Sequence, residues 1–128
     1  MAKVYADTDF FLALLKNDDW LKSAASKIYQ KYKGNICTSS ATFLELFLVA
    51  KRLGMDIKQI AVTALEFAEL TNGDANSVLL AAHYIQEKNV NVFDAFHAAY
   101  AYDLSIVSSD HIFDRIGMRR IALENFKK

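Results

Sequence analysis

Four acidic residues, Asp7, Glu45, Asp94 and Asp110, occupy positions where a carboxylate can do more than solubilise a surface. Asp7 follows a short strand-like run, Lys3 to Ala6, and precedes the helical pattern of Phe10, Phe11, Leu12, Leu14 and Leu15. Asp110 ends a second such run, Ser105 to Ser108. Two strands that deliver acids at their C-terminal ends place them on the carboxyl edge of a parallel sheet, where open α/β folds bind ligands. Glu45 is the sole charged residue between Ala41 and Ala50, in a segment apolar on nearly every face. A helix of that kind is buried, and an unpaired carboxylate in it would cost on the order of 5 kcal/mol. Asp94 is flanked by Phe93 and Phe96. Four carboxylates at one edge repel each other unless a cation lies among them, and oxygen ligands of high negative charge suit Mg²⁺ or Mn²⁺ rather than zinc.

Each acid also has an account that needs no chemistry. Asp7 and Asp110 suit helix N-caps, and Glu45 lies three residues after Thr42, the spacing of a capping box. Asp94 at a helix start favours the dipole. The hydroxyls of Thr8 and Ser108 are placed to orient ligating carboxylates, and capping of their own turns is the equal alternative. Asp9 adds a further oxygen beside Asp7.

The elements that position these groups alternate. After the first strand and the helix from Phe10 to Lys16, Asn17 to Asp19 break the chain, and a second helix from Trp20 ends near Gly34. Asn35 to Thr38 reads as a strand, Ala41 to Ala50 as a helix stopping at Gly54, and Asp56 caps another through about Leu65. The stretch from Leu65 to Thr71 fits either the end of that helix or a short edge strand. Asn72-Gly73-Asp74 is a turn with Asp74 as a cap, and a fifth helix runs until Asn89 and Asn91 break it. Asp94 to Tyr102 is a sixth helix, Asp110 to Ile116 a short seventh, and Arg119 to Leu123 a last strand. Alternation of this kind predicts a three-layer α/β/α sandwich on a small central parallel sheet.

The chain of 128 residues suits one domain spanning 1–128, and its 53% hydrophobic and 23% charged residues exclude a disordered chain. No proline and four glycines leave no linker, and no apolar run reaches the ~20 residues of a membrane span. The start of the chain lacks the features of a secretory signal. The single cysteine, Cys37, suits a reducing compartment and reads as a buried apolar residue, so a cytoplasmic location is expected. Fifteen basic and fifteen acidic residues cancel, which gives nonspecific nucleic-acid binding no support from net charge.

Over its whole length the sequence resembles the PIN domain family, in particular the VapC-type toxin ribonucleases. The likeness rests on Asp7-Thr8-Asp9 after Val4-Tyr5-Ala6, on Glu45 within Thr42 to Leu46, on Asp94-Ala95-Phe96-His97-Ala98-Ala99, and on Ile106 to Phe113 around Asp110. Two departures stand out: Asp9 replaces the usual Asn, and Ile112 stands where a fifth acid is often found, unless Asp114 substitutes for it. The resemblance implies endoribonuclease activity on tRNA or another structured RNA, a cognate antitoxin protein that blocks the site, and homodimerisation.

For the quartet the expected chemistry is metal-assisted phosphodiester hydrolysis. Asp7 and Asp94 are the expected direct ligands, Asp110 a ligand through water, and Glu45 a ligand or the group that orients the nucleophile. Arg115, near the Asp110 turn, is a candidate contact to RNA phosphate. His97 reads as a hydrogen-bonded core or surface histidine, with substrate contact the alternative. Phe10, Phe11, Trp20, Phe43 and Phe47 read as core or dimer-interface residues. Two other functions compete. One is a non-catalytic binding module that keeps the fold. The other is a haloacid-dehalogenase-type phosphatase with Asp7 as nucleophile, which needs a lysine that Lys88 is poorly placed to supply.

Overall fold

The computed structural model describes residues 2–71 and 73–126. Its order of elements is β1 (Val4–Ala6), α1 (Thr8–Leu15), α2 (Lys22–Tyr32), β2 (Ile36–Thr38), α3 (Ser40–Leu53), α4 (Ile57–Phe67) and β3 (Glu69–Leu70). There follow α5 (Ala75–Lys88), α6 (Val92–Tyr100), β4 (Ser105–Ser108), α7 (Ile112–Arg115), β5 (Arg120–Ala122) and a 3-10 turn, Leu123–Asn125. The five strands form one sheet in the order β3-β2-β1-β4-β5. All pairings are parallel.

The strands are short and buried, and their side chains alternate between two cores as a period of two demands. Val4, Ala6, Ile36 and Val107 face a core shared with Phe10 and Phe11 of α1, Ile28 of α2, Leu46 of α3 and Ile60 of α4. Tyr5, Cys37 and Ile106 face the other way, against Ala98 of α6 and Phe113 of α7. The helices therefore cover both faces, in the three-layer α/β/α arrangement the alternation predicts. Phe10 and Phe11 are fully buried, but Trp20 is 76% exposed and takes no part in the core.

Boundaries shift where a cap outcompetes the apolar pattern. α1 starts at Thr8 rather than Phe10, because the Asp7 carboxylate accepts from Thr8 N. α6 starts at Val92, capped by Asn91, whose side chain accepts from Asp94 N. Asn91 thus opens a helix rather than merely breaking one, and Asn89 closes α5 in the left-handed region at φ 54°. The ambiguous stretch after Leu65 does both things expected of it, ending α4 at Phe67 and then forming the edge strand β3. Asp74 caps α5 in a reciprocal pair with Ser77, while Asn72 of the expected turn lies outside the described residues.

Register decides what meets at the carboxyl edge. Tyr5 lies beside Cys37 on one side and Ile106 on the other, so the ends of β2, β1 and β4 are level. β1 is also where the sheet changes direction, with β2 and β3 on one side and β4 and β5 on the other. The crevice at such a switch point is the usual ligand site of an open α/β sheet.

The β4 end is held from β5 by Arg120, whose side chain is only 6% exposed. Its Nη1 donates to Ser108 O at 2.9 Å and to Glu124 Oε1 at 2.8 Å, and its Nη2 donates to Asp114 Oδ2 at 2.9 Å. Arg120→Met keeps much of the side chain's bulk but leaves the half-buried Glu124 carboxylate and the Ser108 carbonyl without their donor. It is expected to cost about 2 kcal/mol, read as a Tm lower by about 7 °C in thermal denaturation.

Candidate active site

Asp7, Asp9, Glu45, Asp94 and Asp110 line one open cleft of about 600 Å³ at the carboxyl edge of the sheet. Each arrives on a different element or turn. Asp7 follows β1, Asp9 lies in the first turn of α1, Glu45 is in α3, Asp94 is in the first turn of α6, and Asp110 follows β4. The structure thus brings together all four acids singled out in the sequence, plus Asp9. Arg115 does not line this cleft; its Nη1 donates to Lys88 O at the end of α5, at 3.0 Å. Asp114 does not substitute for the missing fifth acid either, being bound by Arg120.

Asp7 is almost buried and each of its oxygens has a donor: Oδ1 accepts from Thr8 N and Oδ2 from Ser108 Oγ, both at 2.7 Å. Ser108 Oγ in turn accepts from Asp110 N at 3.0 Å, so one hydroxyl ties the ends of β1 and β4 to the Asp110 turn. Asp110 Oδ1 accepts from Ile112 N at 2.9 Å, in the manner of a helix cap. Asp9 Oδ2 accepts from Ser109 N at 2.8 Å and from Ser109 Oγ. Its Oδ1 is buried with no partner. Asp94 Oδ2 accepts from Asn91 Nδ2 at 2.7 Å.

Glu45 is not in a capping box. The Thr42 hydroxyl is buried and accepts from Thr38 Oγ1 at 2.7 Å, whereas Glu45 Oε1 accepts from Thr8 Oγ1 at 2.5 Å. The same oxygen lies 2.6 Å from Nε2 of His97, a fully buried residue of α6 whose Nε2 is also 3.2 Å from Asp7 Oδ1. The sequence reads His97 as a hydrogen-bonded core or surface histidine, and not as the bridge between two of the acids. The available signal was its position one helical turn after Asp94, facing carboxylates that lacked a counter-charge.

Electrostatics follow from that crowding. Burial raises the Asp7 carboxyl above its ordinary range, offset only in part by His97, Ser108 and Thr8. Burial, then the Asp7 charge, pushes Asp9 up to about 7 despite its bonds from Ser109. Burial, then Asp7 and Asp110, pushes Asp94 up to about 6. Burial acts upward on Glu45 too, but the bonds from His97 and Thr8 and the imidazole's charge outweigh it and leave it lowered. His97 is shifted upward: its burial is outweighed by Glu45, Asp7 and Asp94.

The donor set fits a hard divalent cation. Five carboxylates line the cleft, no lysine or arginine does among the described residues, and one carboxylate oxygen is left buried and unpartnered. Among the described residues, Asp7, Glu45 and His97 bring one side-chain N or O atom each within 4.8 Å of one another.

The PIN domain family model matches residues 4–118, and the chain belongs to that family. No curated protein matches the sequence. Among solved structures, it is similar to Mycobacterium tuberculosis VapC20, described as a Sarcin-Ricin loop cleaving toxin. The TM-score is 0.79 at 17% identity over 94% of this chain and 99% of that one. A toxin–antitoxin complex from Klebsiella pneumoniae gives TM-score 0.75 at 18% identity, covering 94% and 98% of the two chains. DNA-bound VapBC from Salmonella typhimurium gives 0.71 at 20% identity, covering 94% and 97%. These likenesses show the PIN fold of the VapC structures.

The raised Asp94 value sets a pH dependence. The folded protein holds this proton more tightly than the unfolded chain, whose ordinary value is 3.8, so the group stabilises the fold below about pH 4. That contribution is lost as pH rises through about 6. In EDTA, Asp94→Asn should therefore match wild type near pH 4 and exceed it above pH 6. The gain should be about 1 kcal/mol after allowance for solvent screening, and a pH series of thermal melts measures it.

Proposed function

We propose that this PIN domain protein, with residues 1–128 forming one domain, is a metal-dependent endoribonuclease and the toxin of a toxin–antitoxin pair. The observation that carries the proposal is the convergence of five carboxylates, with no lysine or arginine among them in the described residues, on the switch-point cleft of a PIN fold. The substrate class is structured RNA, tRNA included, which puts the protein in the cytoplasm. The likeness to VapC20 and to toxin–antitoxin complexes supports this reading.

Asp7 and Asp94 are the proposed ligands of Mg²⁺ or Mn²⁺, with Asp110 acting through water. When bound, the ion supplies charge neutralisation at the scissile phosphate and a more acidic water. The chain's own groups do the rest. Ser108 and Thr8 N fix the Asp7 oxygens, and Asn91 fixes Asp94. Glu45, with Oε1 already occupied by two donors, has Oε2 left for the cleft, where it would hold the ion or orient the attacking water. The phosphatase alternative requires a lysine at the nucleophile, and among the described residues none lines the cleft. An antitoxin and a second copy of the chain are the proposed partners. Exposed Leu44 and Leu48 on α3 and Val78 and Leu79 on α5 offer them apolar surface.

The test is cleavage of a pool of structured RNAs in Mg²⁺, Mn²⁺ or EDTA. Wild type should cut only with metal. Asp7→Asn and Asp94→Asn, each folded by circular dichroism, should lose at least about 100-fold in rate. A metal-loaded wild type that neither cuts RNA nor gains thermal stability from the ion would leave the non-catalytic binding module as the answer.

A further inference from the structure

The scheme above takes from His97 a single bond to Glu45 and leaves Tyr5 out, yet the two side chains form a buried pair beneath the acid cluster. Both side chains are fully buried, so neither touches a substrate. His97 Nδ1 lies 2.8 Å from the Tyr5 hydroxyl, and that hydroxyl lies 2.6 Å from Ser39 Oγ at the start of α3. Ser39 makes no side-chain cap bond to its own helix, its hydroxyl being turned to Tyr5. The imidazole is thus held at one nitrogen by β1 and the N-terminal end of α3.

Its other nitrogen faces the acids. A separation of 2.6 Å between Nε2 and Glu45 Oε1 requires a proton between them, so Nε2 donates and has no lone pair to offer an ion. Glu45 Oε1 also accepts from Thr8 Oγ1 at 2.5 Å. An sp² carboxylate oxygen has two lone pairs, and both are now used. Oε2 is left as the oxygen that can serve the cleft. Without the His97 bond, Glu45 would keep a single tether and be repelled by Asp7, free to change rotamer on a side chain with three torsions.

We propose that His97, held by Tyr5, is a positioning residue that saturates Glu45 Oε1 and thereby fixes Oε2 toward the site where the divalent ion binds. This rests on the metal-dependent nuclease reading. It differs from a purely structural role in that its loss changes the affinity for the ion and not only the stability of the fold.

The experiment is Mn²⁺ titration of wild type, His97→Leu, His97→Gln and Tyr5→Phe by calorimetry, with circular dichroism and thermal melts on each. Mn²⁺ electron paramagnetic resonance on wild type reads any directly bound nitrogen. His97→Leu fills the space without a donor and should bind Mn²⁺ about 10- to 100-fold more weakly. His97→Gln restores a donor near the Nε2 position and should recover most of that loss. Tyr5→Phe removes one buried hydroxyl and should weaken binding about fivefold. Should His97→Leu fail to fold, Tyr5→Phe and His97→Gln carry the test.

Wild-type Mn²⁺ affinity in His97→Leu and Tyr5→Phe, with only Tm lowered, would overturn the proposal. So would a Gln variant no better than Leu, or a nitrogen coupling that makes His97 a ligand. A wild type that neither binds Mn²⁺ nor cuts RNA would instead defeat the nuclease reading on which the proposal stands.

Discussion

The fold is organised around an electrostatic problem: two carboxylates, the buried Asp7 and the partly buried Glu45, meet where the sheet edge joins the helices. Both approach the same nitrogen of His97. Burial of either alone would cost several kcal/mol, and burial of both side by side would cost more. The cost is met by directed donors. Thr8 N and Ser108 Oγ bind Asp7, while Thr8 Oγ1 and His97 Nε2 bind Glu45. Those donors come from β4, the first turn of α1 and α6, so the three-layer packing and the local electrostatics specify the same arrangement.

Strand length shows how little secondary structure is needed for this. β1 and β2 are three residues each, and β4 is four. Their role is placement: level parallel ends put Asp7, Ser39 and Ser108 on one edge, and the helices that follow diverge to leave a crevice. The connections do most of the burying, through α1 to α4 on one face and α5 to α7 on the other.

Much of this arrangement was legible in the sequence because it is periodic. The alternation of short apolar runs with helical patterns specified the parallel sheet, and the acids at strand ends fell on its carboxyl edge. Glu45 was legible as an anomaly, a lone charge in an apolar helix. What escaped was the set of pairings. Thr42 has the spacing of a capping partner, yet its hydroxyl bonds to Thr38, a contact set by packing rather than by sequence distance. Tyr5 looks like any strand aromatic until the register places its hydroxyl beside His97 and Ser39. Arg115 is close to Asp110 in sequence but is drawn to the end of α5, while Arg120, five residues further on, returns along β5 to hold the β4 end. Long-range partners of this kind carry no local pattern, and a single sequence leaves them open.

The balance of fifteen basic and fifteen acidic residues, unhelpful as a sign of nucleic-acid binding, makes sense once the charge is located. Five of the acids are concentrated in the cleft, so the remaining surface carries an excess of basic residues by the same arithmetic. An RNA phosphate approaching the bare acids is repelled at close range, within a screening length of about 8 Å at physiological ionic strength. In the nuclease reading, neutralisation of the cleft therefore precedes productive contact, and the attraction that brings RNA to the protein arises outside the cleft. Net charge averages these two opposed regions to zero. In that reading the acids are a poor surface for holding RNA and a good one for holding a divalent ion.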